Sequence, residues 1–180
     1  MYIKRCLFII SVVGCLFIFT KSSNDGNVDD TSIIDFQISF NSVIGYKRDI
    51  EEDILFYIYI PKINLKRPVY NIGSNLNNVD YNVQILDGSD ISNNLLFLAA
   101  HSGGGVASYF DRLVELEIGD IILIDSKDNQ RHFVVEELFY IPKSGYLEYS
   151  SSDVCNILYL ITCSLEYSNR QLVVKANLTV

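Results

Sequence analysis

Short apolar runs separated by turn-rich segments make up the chain from about residue 53 to its end. These runs have the length of strands, are rich in β-branched and aromatic residues, and stop at proline, glycine, asparagine or aspartate. The predicted strands are Ile54–Ile60, Lys62–Lys66, Pro68–Tyr70, Leu95–Ala100, Ile121–Asp125, Arg131–Ile141, Ile157–Cys163 and Arg170–Ala176. Seven or eight strands with few helices favour a closed β-barrel or a β-sandwich.

Helical periodicity is confined to one segment after the fourth of these runs. Apolar residues at i, i+4, i+7 and i+8 predict a short amphipathic helix over residues 106–116. These positions are Val106, Phe110, Leu113 and Val114. The pattern from Ile33 to Glu52 is ambiguous between a loop and a second short helix. The sequence therefore predicts a mostly β fold with one or two short helices.

The first 20 residues differ from the rest of the chain. Two basic residues, Lys4 and Arg5, precede the apolar run Cys6–Phe19. This run is longer than the core of most cleaved signal peptides, and no small-x-small cleavage pattern follows it, which favours an uncleaved membrane anchor over residues 1–20. Positive charge before the run predicts a cytoplasmic N-terminus and an extracellular remainder. We therefore expect a single-pass protein of the cell membrane.

An alternative for this segment is lipidation at Cys15, because Val12-Val13-Gly14-Cys15 is similar to a bacterial lipobox. The apolar residues that continue past Cys15 argue against this alternative. Residues 21–52 begin with a polar, turn-rich stretch and are predicted to be a flexible tether that includes the ambiguous helix. The domain that carries the function is then expected over residues 53–180.

The charge balance excludes one class of partner. The chain has 14 basic and 22 acidic residues, a net charge of −8, and its basic residues form no cluster beyond short pairs. This distribution argues against nucleic acid as a partner. An acidic balance is otherwise typical of a soluble surface.

Two cysteines, Cys155 and Cys163, lie outside the predicted anchor. The pattern around them predicts that both belong to one strand, which would place them about 26 Å apart, far beyond disulfide reach. Cys163 is therefore expected to be a free thiol outside the cell, where unpaired cysteines are uncommon. Such a cysteine is either buried and inert or kept for chemistry.

Cys163 ends one predicted strand, Arg170 begins the next, and the polar loop Ser164–Asn169 joins them. Strand ends hold side chains in place, whereas loops admit substrate. Arg170 shares strand parity with apolar residues that are expected to face the core. Because a buried, unpaired guanidinium is costly, Arg170 lies either at the rim of the core with its head in water or beside an anionic group that it binds.

The chain has two histidines. His132 lies within a predicted strand and is expected to be a structural or surface residue. His101 lies where an apolar strand stops and Gly103–Gly105 follow, and glycines let backbone approach a ligand closely. By its pattern alone, His101 is either a site residue or a satisfied loop histidine. A cysteine with a histidine supplies a nucleophile and an acid–base partner, and a cationic neighbour such as His101 or Arg170 favours the reactive thiolate.

An ordered set of these features resembles the sortase family. The set comprises the N-terminal anchor, Ala99-Ala100-His101-Ser102 at a strand end, Tyr109-Phe110-Asp111-Arg112-Leu113 before Gly119-Asp120, the Leu160-Ile161-Thr162-Cys163 ending and the downstream Arg170. The opening strands of the family are also similar to Ile60–Leu65 and Pro68–Tyr70. The resemblance covers about residues 54–178.

The resemblance implies an eight-stranded sortase-type β-barrel that works as a cysteine transpeptidase without an organic cofactor. Cys163 would attack the carbonyl between Thr and Gly of an LPxTG-like sorting signal. His101 would exchange protons with the departing and incoming amines, and Arg170 would hold the substrate backbone and stabilise the oxyanion. Thr162 is expected to help position substrate or to line the oxyanion site, and Ser102 is expected to bind substrate. In this family the acceptor amine belongs to a cell-wall precursor or a pilin lysine, and some members bind calcium, for which no ligands can be placed in this sequence.

Two other functions stay open on the sequence. One is a different exported cysteine hydrolase or transpeptidase, although the Ser-His-Gly-Cys pattern of L,D-transpeptidases is absent. The other is a non-catalytic, membrane-tethered binding module that kept the fold. The modest connection over residues 142–153 argues against the sortase class that carries a long helix there. The lack of an obvious lid in residues 21–53 argues against a pilin-building member and favours a wall-anchoring enzyme or one with a narrow set of substrates.

Overall fold

The computed structural model describes residues 53–127, 129–144, 146–149 and 155–179, together with the backbone of residues 4–7. Apart from Asp53, these residues belong to one compact unit. The remainder of the predicted anchor over residues 1–20, its Cys15, and the tether and possible helix of residues 21–52 lie outside the described residues. Among the residues that are described, no helix has the length and apolar character to cross a bilayer.

The described residues form ten strands and two 3₁₀ helices. The strands are β1 (Lys4–Leu7), β2 (Ile54–Ile60), β3 (Leu65–Tyr70), β4 (Gln84–Ile85), β5 (Leu95–Ala99), β6 (Ile121–Ser126), β7 (Asn129–Pro142), β8 (Tyr146–Tyr149), β9 (Ile157–Cys163) and β10 (Arg170–Thr179). The 3₁₀ helices are Pro61–Ile63 and Leu113–Glu115. β2 and β9 have the predicted ends, and β5, β6, β7 and β10 agree with their predictions to within three residues. The two strands predicted at Lys62–Lys66 and Pro68–Tyr70 are wrong in part, because a 3₁₀ helix precedes one continuous strand, β3. β4 and β8 were not predicted.

Eight of the strands form one sheet in the order β3-β2-β6-β7-β10-β9-β5-β4. Its neighbours pair antiparallel, except β5 and β9, which are parallel. A bridge between Val69 of β3 and Val83, next to β4, links the two ends of the sheet. The sheet is therefore a nearly closed eight-stranded barrel, which confirms the predicted fold class. β1 pairs antiparallel with β8 in a separate two-stranded ribbon.

The main hydrophobic core fills the inside of this barrel. Side chains alternate along each strand, so every second residue points inward. The inward set includes Phe56, Ile58, Ile60, Leu96, Leu98, Ile122, Ile124, Phe133, Val135, Leu158, Leu160, Leu172, Val174 and Ala176, all 4% exposed or less. Arg170 has the parity of Leu172 and Val174, as predicted.

Strands β5, β9 and β10 are also covered on their outer face, by a second cluster that includes Leu147 of β8. Phe97 of β5 stacks on Tyr159 of β9 with ring centroids 5.2 Å apart and planes 5° from parallel. Strands that are buried on both faces lose the alternation of apolar and polar residues. This explains the unbroken apolar runs in β5 and β9.

The helix predicted over residues 106–116 is wrong. Turns and the single 3₁₀ helix Leu113–Glu115 occupy the segment. Phe110 is buried as predicted, whereas Val106 is fully exposed. The backbone N–H of Phe110 donates to the carbonyl of His101 at 3.1 Å. The N–H groups of Ser108, Asp111 and Leu113 donate to carbonyls three residues earlier, as in turns. An α-helix would require bonds to the carbonyl four residues earlier.

The placement of Cys155 also differs from the prediction. β9 begins at Ile157, and Asn156 before it has φ = 61°, so Cys155 does not share the strand of Cys163. Both cysteines are nevertheless free thiols, as predicted. Cys155 is exposed, whereas Cys163 is half-buried.

We expect Leu160→Ala to lower the free energy of unfolding by about 2–5 kcal/mol, because it opens a cavity at a fully buried position inside the barrel. Leu165→Ala is the matched control: it removes the same atoms from a side chain that is 64% exposed, and we expect a change within about 0.5 kcal/mol. Urea unfolding followed by circular dichroism measures both. Equal losses in the two variants would contradict the described packing.

Candidate active site

The parallel pair β5–β9 brings His101 and Cys163 to the same end of the sheet. Its last register pair is Ala99 opposite Ile161. His101 and Cys163 each lie two residues further along their own chain segment. Because paired strands run about 4.8 Å apart and these two run in the same direction, the imidazole and the thiol belong to neighbouring chain segments.

Three hydrogen bonds continue this pairing beyond the strand ends. The N–H of Ala100 donates to the carbonyl of Ile161 at 3.3 Å. The Thr162 hydroxyl donates to the carbonyl of Ala100 at 2.8 Å, and the Ser102 hydroxyl donates to the carbonyl of Cys163 at 2.5 Å. Both hydroxyls are therefore engaged within the protein, and Thr162 is 4% exposed. They tie the His101 segment to the Cys163 segment.

Asp80 lies beside His101, a contact that the sequence did not predict. The Nε2 atom of His101 is 3.4 Å from Oδ1 of Asp80, and both side chains are partly exposed. When Nε2 of His101 carries a proton, it donates a hydrogen bond to the Asp80 carboxylate, and this bond orients the imidazole ring. Asp80 lies in the polar connection between β3 and β4, 21 residues before His101, and one aspartate in a turn-rich loop gives no signal of its own.

The glycines after His101 form a turn that Asp111 closes. Gly103 and Gly104 have φ of 120° and 75°, a region that favours glycine. Both donate their backbone N–H groups to the carboxylate of Asp111. These two N–H groups are thus occupied by the Asp111 carboxylate.

Two clefts open at this end of the barrel. His101 and Ser102 line the first, a space of about 480 Å³. Cys163 lines the second, a space of about 310 Å³ with mostly apolar walls that include Leu165 and Leu172. Since the Ser102 hydroxyl bonds to the carbonyl of Cys163, the clefts are neighbours, and the two reactive side chains line different ones.

Arg170 lies at the rim, next to the nucleophile's strand. The antiparallel pair β9–β10 places Gln171 opposite Cys163, and the N–H of Ser164 donates to the carbonyl of Arg170 at 3.0 Å. The Arg170 side chain is exposed, with its guanidinium carbon 5.6 Å from the ring centroid of Tyr167. Within the described part of the chain, no carboxylate lies within ion-pair distance of this cation. The rim position was one of the two predicted, and the guanidinium is available to an anionic oxygen.

The loop between β9 and β10 is held by hydrogen bonds among its own residues and by a ring contact with β7. The Ser164 hydroxyl accepts the backbone N–H groups of Glu166 and Tyr167 at 3.2 and 2.9 Å. The ring of Tyr167 packs edge-on against Tyr140 with centroids 5.1 Å apart. A hydrogen bond from its hydroxyl to the Glu166 carboxylate raises the pKa of Tyr167, because it stabilises the neutral phenol. The loop therefore presents an ordered aromatic wall beside Arg170.

Gln171 is a polar residue within an apolar wall. It is 6% exposed, and its side-chain oxygen is buried without a hydrogen-bond partner. An unpaired buried polar group of this kind costs about 1–3 kcal/mol. The sequence offered little signal, because β10 contains other polar residues, among them Lys175 and Asn177.

The second histidine, His132, lies away from this site, and the described residues contain no cluster that meets the requirements of a metal site. His132 is exposed and pairs with Thr179, at the opposite end of β10 from Arg170, as expected for a surface histidine. Across the described ranges, no group of three or more His, Cys, Asp or Glu side chains is arranged to hold a metal ion.

Comparisons with known proteins agree with this geometry. A family model described as the sortase domain matches residues 58–179. The fold is similar to sortase C of Streptococcus pneumoniae (19% identity, 71% of this chain and 70% of that one, TM-score 0.59) and to sortase C-1 of Actinomyces oris (22%, 71% and 75%, 0.59). It is also similar to sortase A of Corynebacterium diphtheriae (20%, 71% and 61%, 0.58).

A comparison with curated protein sequences gives no match. At these identities the structural likeness concerns the fold, whereas the family model covers more than half of the chain, from within β2 to the end of β10. Fold, family match and the ordered histidine, cysteine and arginine agree with one another. This chain therefore belongs to the sortase family.

Proposed function

We propose that this protein is a membrane-anchored cysteine transpeptidase that cleaves an LPxTG-like sorting signal between Thr and Gly. It transfers the acyl group to an amine acceptor outside the cell. The observation that carries this proposal is the parallel register of β5 and β9, which brings His101 and Cys163 to the same strand ends. The antiparallel partner β10 adds Arg170 beside them.

In the acylation step, the Cys163 thiolate attacks the carbonyl carbon of the threonine. The carbonyl oxygen becomes an oxyanion, and the exposed guanidinium of Arg170 supplies N–H donors to it. His101, as imidazolium, gives its proton to the glycine nitrogen. The C–N bond then breaks, which leaves a thioester on Cys163 and a free amine.

In the second step, an acceptor amine attacks the thioester. Neutral His101 takes a proton from the attacking nitrogen, and the Cys163 thiolate leaves as the new amide bond forms. Atoms and charges balance over the two steps, because one amide is exchanged for another. No cofactor enters either step.

We assign Thr162 and Ser102 a positioning role in place of the direct substrate contact that the family resemblance implied. Their hydroxyls are bound to the carbonyls of Ala100 and Cys163, and Thr162 is buried. In this role the two hydroxyls affect turnover indirectly, by holding the chain segments that carry His101 and Cys163. Asp80 is added to this group because it contacts the imidazole.

The acceptor is proposed to be a primary amine, of a cell-wall precursor or of a pilin lysine. The reported structure of the Streptococcus pneumoniae relative concerns pilin substrate specificity in that protein, whereas the fold is equally similar to a sortase A. The preference for wall anchoring therefore stays a prediction, as does the membrane anchor of residues 1–20. Identifying the amine in the product distinguishes the two acceptors.

We expect Cys163→Ala to abolish turnover of a quenched LPxTG peptide by the full chain in detergent, because the nucleophile is lost. Cys155→Ala is the matched control: it removes the other described thiol, an exposed one, and should leave turnover unchanged. The assay contains triglycine or Nα-acetyl-lysine amide as acceptor, and mass spectrometry identifies the product.

Each other result of this assay supports a different function. Turnover that is indifferent to the added amine and yields only hydrolysed peptide would favour a cysteine hydrolase. Peptide binding without turnover in the unmodified protein would favour the binding module. Turnover that survives Cys163→Ala would exclude the proposed nucleophile.

We expect Arg170→Gln to lower kcat by about 10²–10³, the usual cost of removing one oxyanion donor. Arg170→Lys should recover only part of this loss, because a lysine keeps the charge but not the planar set of donors. Steady-state kinetics with the same peptide gives kcat and KM separately. A rise in KM with unchanged kcat would assign Arg170 to substrate binding alone.

We expect Thr162→Val to lower the free energy of unfolding by about 1–3 kcal/mol, because the Ala100 carbonyl loses its bond to the Thr162 hydroxyl. Turnover should fall further than the folded fraction explains, since the His101 segment is released. Thr179→Val is the control, because it removes a similar bond, to the carbonyl of His132, at the other end of β10. Equal effects of both variants on turnover would rule out the positioning role.

A further inference from the structure

The side-chain oxygen of Gln171 has no hydrogen-bond partner in the described protein, although the residue is almost completely buried. Gln171 is 6% exposed, and its Oε1 atom is cut off from solvent without a hydrogen bond. Buried carboxamides almost always have a partner. An exception next to a site of chemistry needs a physical reason, since an apolar side chain at this position would carry no such penalty.

The strand register identifies what lies around this carboxamide. Gln171 of β10 is directly opposite Cys163 of β9 on one side and Ile141 of β7 on the other. Directly opposed residues project from the same face with Cβ atoms about 5 Å apart. The diagonal neighbours on this face are Ile161 and Phe139, both members of the outer apolar cluster. Cys163 is therefore the polar partner that the strand pairing offers.

We propose that Gln171 is a positioning residue whose carboxamide hydrogen-bonds the sulfur of Cys163 during the reaction. This inference rests on the proposed role of Cys163 as the nucleophile. A glutamine side chain spans the distance between opposed Cβ atoms by rotation about its own bonds, and the carboxamide has one donor and one acceptor end. It can accept the S–H of the thiol through Oε1 and, after rotation, donate an Nε2–H to the thiolate.

The low polarity of the surroundings strengthens such a bond. Water does not compete for a group that is buried among Ile141, Ile161 and Phe139. A hydrogen bond to an ionised partner is stronger than one to a neutral partner, so the thiolate gains more from Nε2–H than the thiol gains from Oε1. The consequence is a larger fraction of Cys163 in the reactive form at neutral pH.

The test is the pH profile of Cys163 alkylation in Gln171→Met, which keeps the size of the side chain and removes both polar ends. The full chain is treated with iodoacetamide from pH 5 to 10, and mass spectrometry follows the peptide that carries Cys163. Only the thiolate reacts. Loss of a donor to the thiolate favours the thiol. The pH at which the alkylation rate reaches half its maximum, called the midpoint, should therefore rise by about one unit, and the alkylation rate at pH 7 should fall about tenfold.

Stability separates this role from a structural one. Removing an unpaired buried carboxamide should leave urea stability unchanged or raise it, whereas a structural glutamine would lower it. Gln130→Met is the control, because Gln130 lies at the far end of β7, next to His132, and should leave the alkylation profile unchanged. If the methionine variant does not fold, Gln171→Asn, which retracts the carboxamide by one methylene, should move the midpoint in the same direction.

The outcomes can be told apart from failure of the proposed function. An upward midpoint with unchanged or increased stability supports the inference. An unchanged midpoint in a folded variant overturns it, whatever happens to peptide turnover. If the unmodified protein turns over no sorting peptide, the transpeptidase proposal fails, and the alkylation profile still decides whether Gln171 acts on the sulfur.

Discussion

The site depends on one parallel strand pair in a sheet whose other neighbours are antiparallel. In an antiparallel pair, the carboxyl ends of two strands point to opposite ends of the sheet. β5 and β9 run in the same direction, so the residues that follow each strand emerge together. The hydroxyls of Thr162 and Ser102 extend this pairing to the carbonyls of Ala100 and Cys163. Without the parallel register, the imidazole and the thiol would lie at opposite ends of the barrel.

Burial on both faces holds this pair in place. The inner core packs against Leu98 and Leu160, while Phe97 and Tyr159 stack outside it. Reactive side chains therefore extend from strands that have little freedom to move, which is the condition for pre-organised chemistry. The proposed reactive groups lie at the end of the barrel, where the strands are no longer covered on both faces. The Cys163 thiol there is half-buried, and the Arg170 guanidinium is exposed.

Much of the fold was predicted from local patterns of apolar and turn residues. The errors concern contacts that these patterns do not encode. Apolar runs bounded by turn residues located the central strands, and parity placed Arg170 with the inward residues. The helix over residues 106–116 failed because the backbone N–H of Phe110 is bound by His101, a contact that periodicity does not encode. Asp80 was missed because nothing in its own segment distinguishes it from other loop aspartates.

By itself, the sequence determined the position of most strands and the order of histidine, cysteine and arginine along the chain. These properties depend on residue type and short-range spacing, which a pattern retains. Tertiary structure alone decided which strands are neighbours, that the Thr162 and Ser102 hydroxyls donate to backbone carbonyls, and that Gln171 lies opposite Cys163. Such facts arise from pairing between segments far apart in sequence, because sheet register is set by the packing of the whole barrel.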